Sequence, residues 1–244
     1  MTHYDVIGDV YGSQRRTDPR IAAVLWDALG GAKAVLNVGA GTGSYEPPDA
    51  QVIALDRSHS MLQHHEGLTT PLIQGSAEAL PLNNGSVDAV MAVLTIHHWV
   101  DQKRGVDECV RVARERVVIL TWDPDSDAFW LARDYFPELL ALDRRIFPPL
   151  NVLTSWLNKT DVRSVPIPAD CVDGFLGAYW QRPASYLDPG ARAGMSSFSR
   201  ISDASVGLTR LANDLESGAW QRRYDHLSNY AALDIGYRLV VGLV

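Results

Sequence analysis

Three glycines at alternate positions, Gly39-Ala40-Gly41-Thr42-Gly43, close an apolar run that begins Val35-Leu36-Asn37-Val38. Glycines so spaced let a backbone turn tightly and pass close to a ligand. Asp56 stands at the end of the next apolar run, Gln51-Val52-Ile53-Ala54-Leu55, where a carboxylate suits the two hydroxyls of a ribose. A third group, Leu94-Thr95-Ile96-His97-His98-Trp99, follows the apolar stretch 87–93. An imidazole with an ordinary pKa of about 6.5 can serve as a general base under neutral conditions, and His98, then His97, are the candidates.

These groups need a scaffold that brings them to one edge. The apolar runs at 35–38, 51–56, 71–74, 87–93 and 116–122 read as buried strands of a parallel sheet, with 162–167 as a sixth strand and 235–241 as the last. Open sheets of this class bind ligands in the crevice beyond the carboxyl ends of their strands, which is where all three groups fall. Asp18-Pro19 caps a helix that runs to about Leu29, with Ile21, Val24, Leu25 and Ala28 on its apolar face and Gly30-Gly31 as its stop. Ser58 caps a short helix ending at His64-His65, which read as a solvated helix end that favours positive charge. A further helix covers about 102–112, and Arg111-Val112-Ala113-Arg114 reads as a short turn into the fifth strand.

The glycine spacing separates two ligands. A dinucleotide fingerprint, Gly-x-Gly-x-x-Gly, places its third glycine where this chain has Ser44, and Pro47-Pro48 follow at once, which disfavours a long helix whose N-terminus would meet a pyrophosphate. The ordered set Gly-x-Gly-x-Gly, then acidic Asp56, then Gly75-Ser76-Ala77-Glu78-Ala79-Leu80-Pro81 resembles the S-adenosylmethionine-binding motifs of class I methyltransferases, close to the small-molecule branch that includes the quinone-biosynthesis enzymes. The resemblance covers roughly residues 34 to 122.

That resemblance implies an α/β fold: a Rossmann-like, doubly wound seven-stranded sheet, mostly parallel with an antiparallel last strand, plus helical lid insertions. It implies S-adenosylmethionine as cofactor and S-adenosylhomocysteine as product, held by Gly39, Ala40, Gly41, Thr42, Gly43 and Asp56. Arg57 and Met61 would neighbour the adenine, Ser76 would accept from its amino group in place of the usual aspartate, and the Ala77 N–H would donate to a ring nitrogen. Asn37 stands where an acidic residue usually helps hold the methionine ammonium. The loop carrying Leu94, His98 and Trp99 would run beside the transferable methyl group. In the family the segment before the first helix folds over the cofactor, which makes Tyr4 and Tyr11 candidates to cover the sulfonium or the acceptor.

At 244 residues the chain accommodates one such domain, with about 1–30 as the covering segment and about 126–158 and 173–222 as helical insertions above the cofactor. Sixteen of its 21 aromatic residues follow residue 120, which suits a pocket for a small apolar or aromatic acceptor. Trp122 and Asp123, at a strand end, join Trp99 and Tyr11 as acceptor-binding candidates, and Arg133, Arg182 and Arg192 as partners for a substrate carboxylate. A net charge of −7 argues against nucleic acid as partner. Cys109 and Cys171 lack metal spacing and read as buried free thiols, and Asp123, Asp125 and Asp127 lack the glycine and glutamate of a calcium loop, so no metal site is expected. No apolar stretch suits a signal or a membrane span, so a cytoplasmic protein without a membrane partner is expected. Two other readings share the fold: methylation of tRNA or another macromolecule, and a non-catalytic S-adenosylmethionine-binding module. The oligomeric state is not legible.

Overall fold

The computed structural model of the chain describes residues 15–67 and 69–244. Helix α1 (Pro19–Ala28) starts where the sequence places it: the Asp18 carboxylate accepts from the Arg20 N–H at 3.0 Å, and Pro19 occupies the first turn. Its buried face is Ile21, Ala22, Leu25 and Ala28. Val24, expected on that face, is one of the exposed large apolar residues, and Ala22 takes the inward position.

Strands β1 (Ala34–Val38), β2 (Gln51–Asp56), β3 (Leu72–Gln74), β4 (Val87–Val93) and β5 (Ala113–Trp122) are mutually parallel. They join β9 (Tyr237–Leu243) and β6 (Asn158–Ser164) in one seven-stranded sheet of order β3-β2-β1-β4-β5-β9-β6. Strand β9 runs antiparallel to β5, from Arg116↔Leu243 to Trp122↔Tyr237. A minor pair, β7 (Ile167–Pro168) with β8 (Ala232–Leu233), lies apart. The sixth strand thus begins and ends earlier than its apolar residues suggested, and all seven of its residues are exposed. Lys159, Asp161 and Arg163 give that edge a charged surface, which discourages further strand pairing.

The order of strands reverses at β1, which has β2 on one side and β4 on the other. Such a reversal opens a crevice at the carboxyl edge, and it positions the candidate site. Helix α2 (His59–Gln63) follows β2 and helix α3 (Gln102–Val112) precedes β5. The expected turn between α3 and β5 is missing: Val112 is the last helical residue and Ala113 the first of the strand.

Between β5 and β6 lie a 3-10 turn (Pro124–Ser126), a π turn (Leu131–Tyr135), α4 (Pro137–Ile146) and α5 (Leu150–Ser155). Between β7 and β8 lie α6 (Pro189–Ala193), α7 (Ser205–Glu216) and α8 (Ala219–Tyr224). Their aromatic rings pack into the core. Trp130, fully buried, meets Trp220 at 5.3 Å, Tyr135 at 5.7 Å and Tyr186 at 5.9 Å in steeply tilted contacts. Each such pair contributes about 0.5–1.5 kcal/mol beyond area burial, enough together to fasten the two insertions to each other. Cys109 and Cys171 are buried and free. Among the described residues no helix is long and apolar enough to cross a membrane.

Candidate active site

The turn after β1 is left-handed at all three glycines, with φ of 73° at Gly39, 56° at Gly41 and 93° at Gly43. Their missing side chains have different consequences. A Cβ on Gly39 would lie 2.0 Å from Thr95 Oγ1, so its absence lets the loop after β4 cross the turn. A Cβ on Gly43 would lie 2.7 Å from His65 Nε2, while one on Gly41 would meet nothing within 4 Å. Gly43 therefore faces His65 and not the cavity, a correction to its expected role, whereas Gly39, Ala40, Gly41 and Thr42 line a cavity of about 350 Å³. No helix follows the turn; the chain passes Pro47-Pro48 and enters β2 directly.

Asp56 closes the other wall. Its Oδ2 accepts from the Gly41 N–H and its Oδ1 from the Ser58 N–H, each at 2.8 Å, so two backbone donors fix the carboxylate's orientation at the mouth of the turn. Arg57 and Met61 line the same wall, with α2 held in place by the Ser58 hydroxyl, which accepts from the Met61 N–H at 3.3 Å. Ser76 and Ala77 also line it. The Ser76 hydroxyl donates to the Glu78 carboxylate, whose other oxygen accepts from the Val100 N–H at 2.6 Å and the Asp101 N–H at 3.2 Å. Glu78, itself lining the cavity, thus brings an acid beside the position where Ser76 lacks one. Only its place two residues on in the sequence hinted at this.

Asn37 lines the cavity from the floor. Its amide nitrogen donates to Glu46 Oε1 at 3.0 Å, which also accepts from His65 Nε2 at 3.0 Å. The Gly67 N–H donates to His65 Nδ1, so the ring's single proton sits on Nε2 and the negative charge stays on Glu46. The His65 side chain is fully buried, contrary to the solvated helix end read from sequence. Asn37 Oδ1, out of solvent, has no hydrogen-bond partner among the described residues.

The loop after β4 completes the site. Leu94 takes a left-handed φ of 51°, the kind of local strain that clusters at ligand sites, and it lines the cavity with Thr95, His98 and Trp99. Trp99 lies so close over α3 that a Cβ on Gly105 would stand 2.4 Å from its ring. Arg200, arriving from beyond α6, donates to His98 Nδ1. A guanidinium can only donate, so the lone pair of His98 is engaged and its own proton sits on Nε2. With Arg200 there, His98 is a hydrogen-bond donor and not a base. Arg15 also lines the cavity, held by Asp173 through contacts of 2.7 and 3.1 Å, and the Tyr45 hydroxyl donates to the same carboxylate at 2.8 Å.

Other expected residues lie elsewhere. His97 stacks on Phe147 with ring centres 4.2 Å apart and does not line the cavity; burial, helped by the neighbouring positive charges, pushes its pKa well below the usual value. Trp122 is core: its indole donates to the Ile235 carbonyl at 2.9 Å and its ring meets Phe147 edge-on. Asp123 caps the 3-10 turn at Pro124. Arg133 pairs with Asp134, while Arg182 and Arg192 donate to backbone carbonyls. Of the two insertions, only Ser199 and Arg200 reach the cavity. Nothing in the sequence pointed to them. Tyr4 and Tyr11 lie outside the described residues.

Residues 36–121 match a family described as a methyltransferase domain. The chain is similar to a proposed methyltransferase from an antibiotic biosynthesis pathway of Anabaena variabilis: 32% identity, a TM-score of 0.88, and coverage of 95% of this chain and 99% of that one. It is 35% identical over 115 residues to an uncharacterized methyltransferase of Mycobacterium tuberculosis, covering 44% of this chain and 47% of that protein. It is 28% identical over 162 residues to rice 2-methyl-6-phytyl-1,4-hydroquinone methyltransferase 2, covering 61% of this chain and 42% of that protein. The chain spans about half the length of these curated relatives. Taken with a sheet reversing at β1, an alternating-glycine turn and a strand-end carboxylate gripping that turn, the near full-length likeness to the Anabaena protein places this chain in the class I S-adenosylmethionine-dependent methyltransferase family.

Proposed function

We propose that this chain transfers a methyl group from S-adenosylmethionine to a small acceptor with an aromatic or apolar body. The observation that carries the reading is the grip of Asp56 on the Gly41 N–H at the rim of the cavity. A carboxylate so oriented suits ribose hydroxyls, the open space above Gly41 leaves room for the ligand's close approach, and the orphaned Asn37 Oδ1 offers an acceptor to an ammonium group. Glu78 stands where an adenine amino group would find a carboxylate. The donor and acceptor set therefore fits S-adenosylmethionine.

When bound, S-adenosylmethionine supplies an already activated methyl group on a sulfonium, so the protein's task is alignment and exclusion of water. Orientation of that kind is worth about 7–11 kcal/mol of barrier without acid or base. Leu94, held in its strained backbone, and Trp99, wedged on Gly105, are the residues proposed to form the wall against which the acceptor lies. His98 Nε2–H is proposed to orient an acceptor oxygen. A hydroxyl acceptor would release its proton to water or arrive ionised.

The cavity of about 350 Å³ is at the small end of ligand sites and has to serve cofactor and acceptor together, which favours a small acceptor. Net charge of −7 opposes a nucleic-acid acceptor. The rice relative is named for a hydroquinone and the Anabaena protein for an antibiotic pathway, both of which favour small molecules. Calorimetry tests the reading: S-adenosylhomocysteine should bind and NAD should not, and Asp56→Ala should weaken binding by about tenfold or more, the worth of one or two charge-assisted hydrogen bonds. Equal affinity of the two proteins for S-adenosylhomocysteine would overturn it.

A further inference from the structure

The cavity holds two arginines, and their surroundings differ. Arg15 is neutralised: Asp173 takes it at 2.7 and 3.1 Å, and the Arg15 side chain is only 11% exposed. Arg200 lines the same cavity, yet among the described residues its guanidinium forms no ion pair and hydrogen-bonds only His98. Asp143, the buried acid whose charge it senses, stands outside ion-pair distance of it. The two carboxylates that line the cavity are held by donors of their own: Asp56 by two backbone N–H groups, Glu78 by Ser76, Val100 and Asp101. Arg200 is half-buried and faces the cavity with its charge unmatched, which leaves its fork to pair with an anionic group on a ligand.

We infer that Arg200, with the Nε2–H of His98 beside it, reads a carboxylate on the methyl acceptor. The inference rests on the methyltransferase reading above and narrows its substrate class to acids. A carboxylate could also come from the methionine end of the cofactor, but the origin of Arg200 decides between the two. The cofactor wall is built by residues 37–78, within or next to the stretch 36–121 shared with the methyltransferase-domain family. Arg200 and Ser199 come from the insertion between β7 and β8, outside that stretch. A cofactor common to the family is held by its common elements, and a residue supplied by an insertion serves what differs, the acceptor.

The planar fork of Arg200 matches a carboxylate in geometry as well as charge. Its donation to His98 Nδ1 fixes the imidazole tautomer, so Nε2 presents a second donor. Trp99 lines the same cavity, and a guanidinium beside an aromatic ring suits an aryl or alkyl acid.

The test uses the full chain loaded with S-adenosylhomocysteine, titrated calorimetrically with matched probes: phenylacetate against phenylacetamide, and octanoate against octanamide. At least one carboxylate should bind about tenfold or more tighter than its amide. Arg200→Gln should erase that preference while changing affinity for S-adenosylhomocysteine less than about twofold, and Arg200→Lys, keeping the charge but not the fork, should retain part of it. Absence of carboxylate preference in both pairs overturns the inference, and that result needs no variant to fold. Equal weakening of S-adenosylhomocysteine and carboxylate binding by Arg200→Gln overturns it in favour of the cofactor's own carboxylate. Failure of the wild-type chain to bind S-adenosylhomocysteine at all would instead remove the methyltransferase reading, and this inference with it.

Discussion

The Asn37 side-chain amide donates to Glu46 Oε1 at 3.0 Å and keeps its own oxygen out of solvent and without a hydrogen-bond partner among the described residues. The family's usual acid at this position is replaced by a neutral acceptor backed by an acid nine residues later. The charge is retained but moved behind the amide, where His65 donates to it and Pro47-Pro48 hold the following chain out of a helix. An amide oxygen polarised in this way can accept from an ammonium without itself paying the desolvation cost of a cavity carboxylate.

Glu46→Gln should therefore weaken S-adenosylhomocysteine binding about tenfold, the worth of one charge-assisted contact. Binding of 5′-methylthioadenosine, which lacks the amino-acid end, should be unchanged. Calorimetry on both ligands checks it, and equal losses would mean that the substitution disturbs the turn as a whole.

Gly39 and Gly41 should separate stability from binding. An alanine at 39 combines a left-handed φ with a Cβ 2.0 Å from Thr95 Oγ1, and should cost about 2–4 kcal/mol of stability. An alanine at 41 meets nothing within 4 Å and should cost only about 1–2 kcal/mol from its backbone. Its methyl would project into the open space left for the ligand, so ligand affinity should fall more than stability does. Urea unfolding beside calorimetry distinguishes the two variants.

The parallel strands were legible because buried strands are nearly all apolar: Val35–Val38 and 87–93 carry almost no other pattern. The edge strand misled for the complementary reason. Its pairing with β9 begins at Asn158 and, after an irregularity, resumes at Asp161, and the apolar residues 165–167 that suggested it belong to the segment leading into β7. The cofactor half of the site was legible through local order, since Gly39 to Thr42, Asp56 and Ser76 each lie at or just past the end of their own strand. His65, Trp122 and Arg200 were not, because their roles depend on contacts far along the chain: His65 with Glu46 19 residues away, Trp122 with Ile235 113 away, and Arg200 with His98 102 away. An uneven supply of rings after residue 120 signalled a layer of packing and not a pocket.

Asp18 links two distant segments, and its removal should show it. The carboxylate caps α1, pairs with Arg20 at 2.7 Å and accepts from the Val172 N–H at 3.1 Å. Burial raises its pKa, but the hydrogen bonds from Arg20 and Val172 outweigh that and hold it at about 2. The stability it supplies is present above the ordinary carboxylate value and is lost as pH falls toward 2. Asp18→Ala should cost about 1–2 kcal/mol at pH 7, combining the lost cap with the lost Val172 contact, and the difference from wild type in urea unfolding should shrink below about pH 3.

Asp143 should give the opposite slope. It is 2% exposed, its Oδ2 has no hydrogen-bond partner, and burial, only partly offset by the charge of Arg200, pushes its carboxyl up to about 7. A folded-state value above the ordinary 3.8 means that the folded chain holds the proton more tightly than the unfolded one. Stability is then unaffected by this group below about pH 4, declines as pH rises toward 7, and levels off above it; full ionisation costs at most about 4 kcal/mol. Asp143→Asn cannot ionise and keeps the shape, at a pH-independent cost of about 1–2 kcal/mol for an unpaired amide. Thermal melts should show wild type equal to or above Asp143→Asn at pH 5 and below it at pH 8.5. A constant offset between the two proteins across that range would mean that the carboxyl finds a partner and ionises normally in the fold.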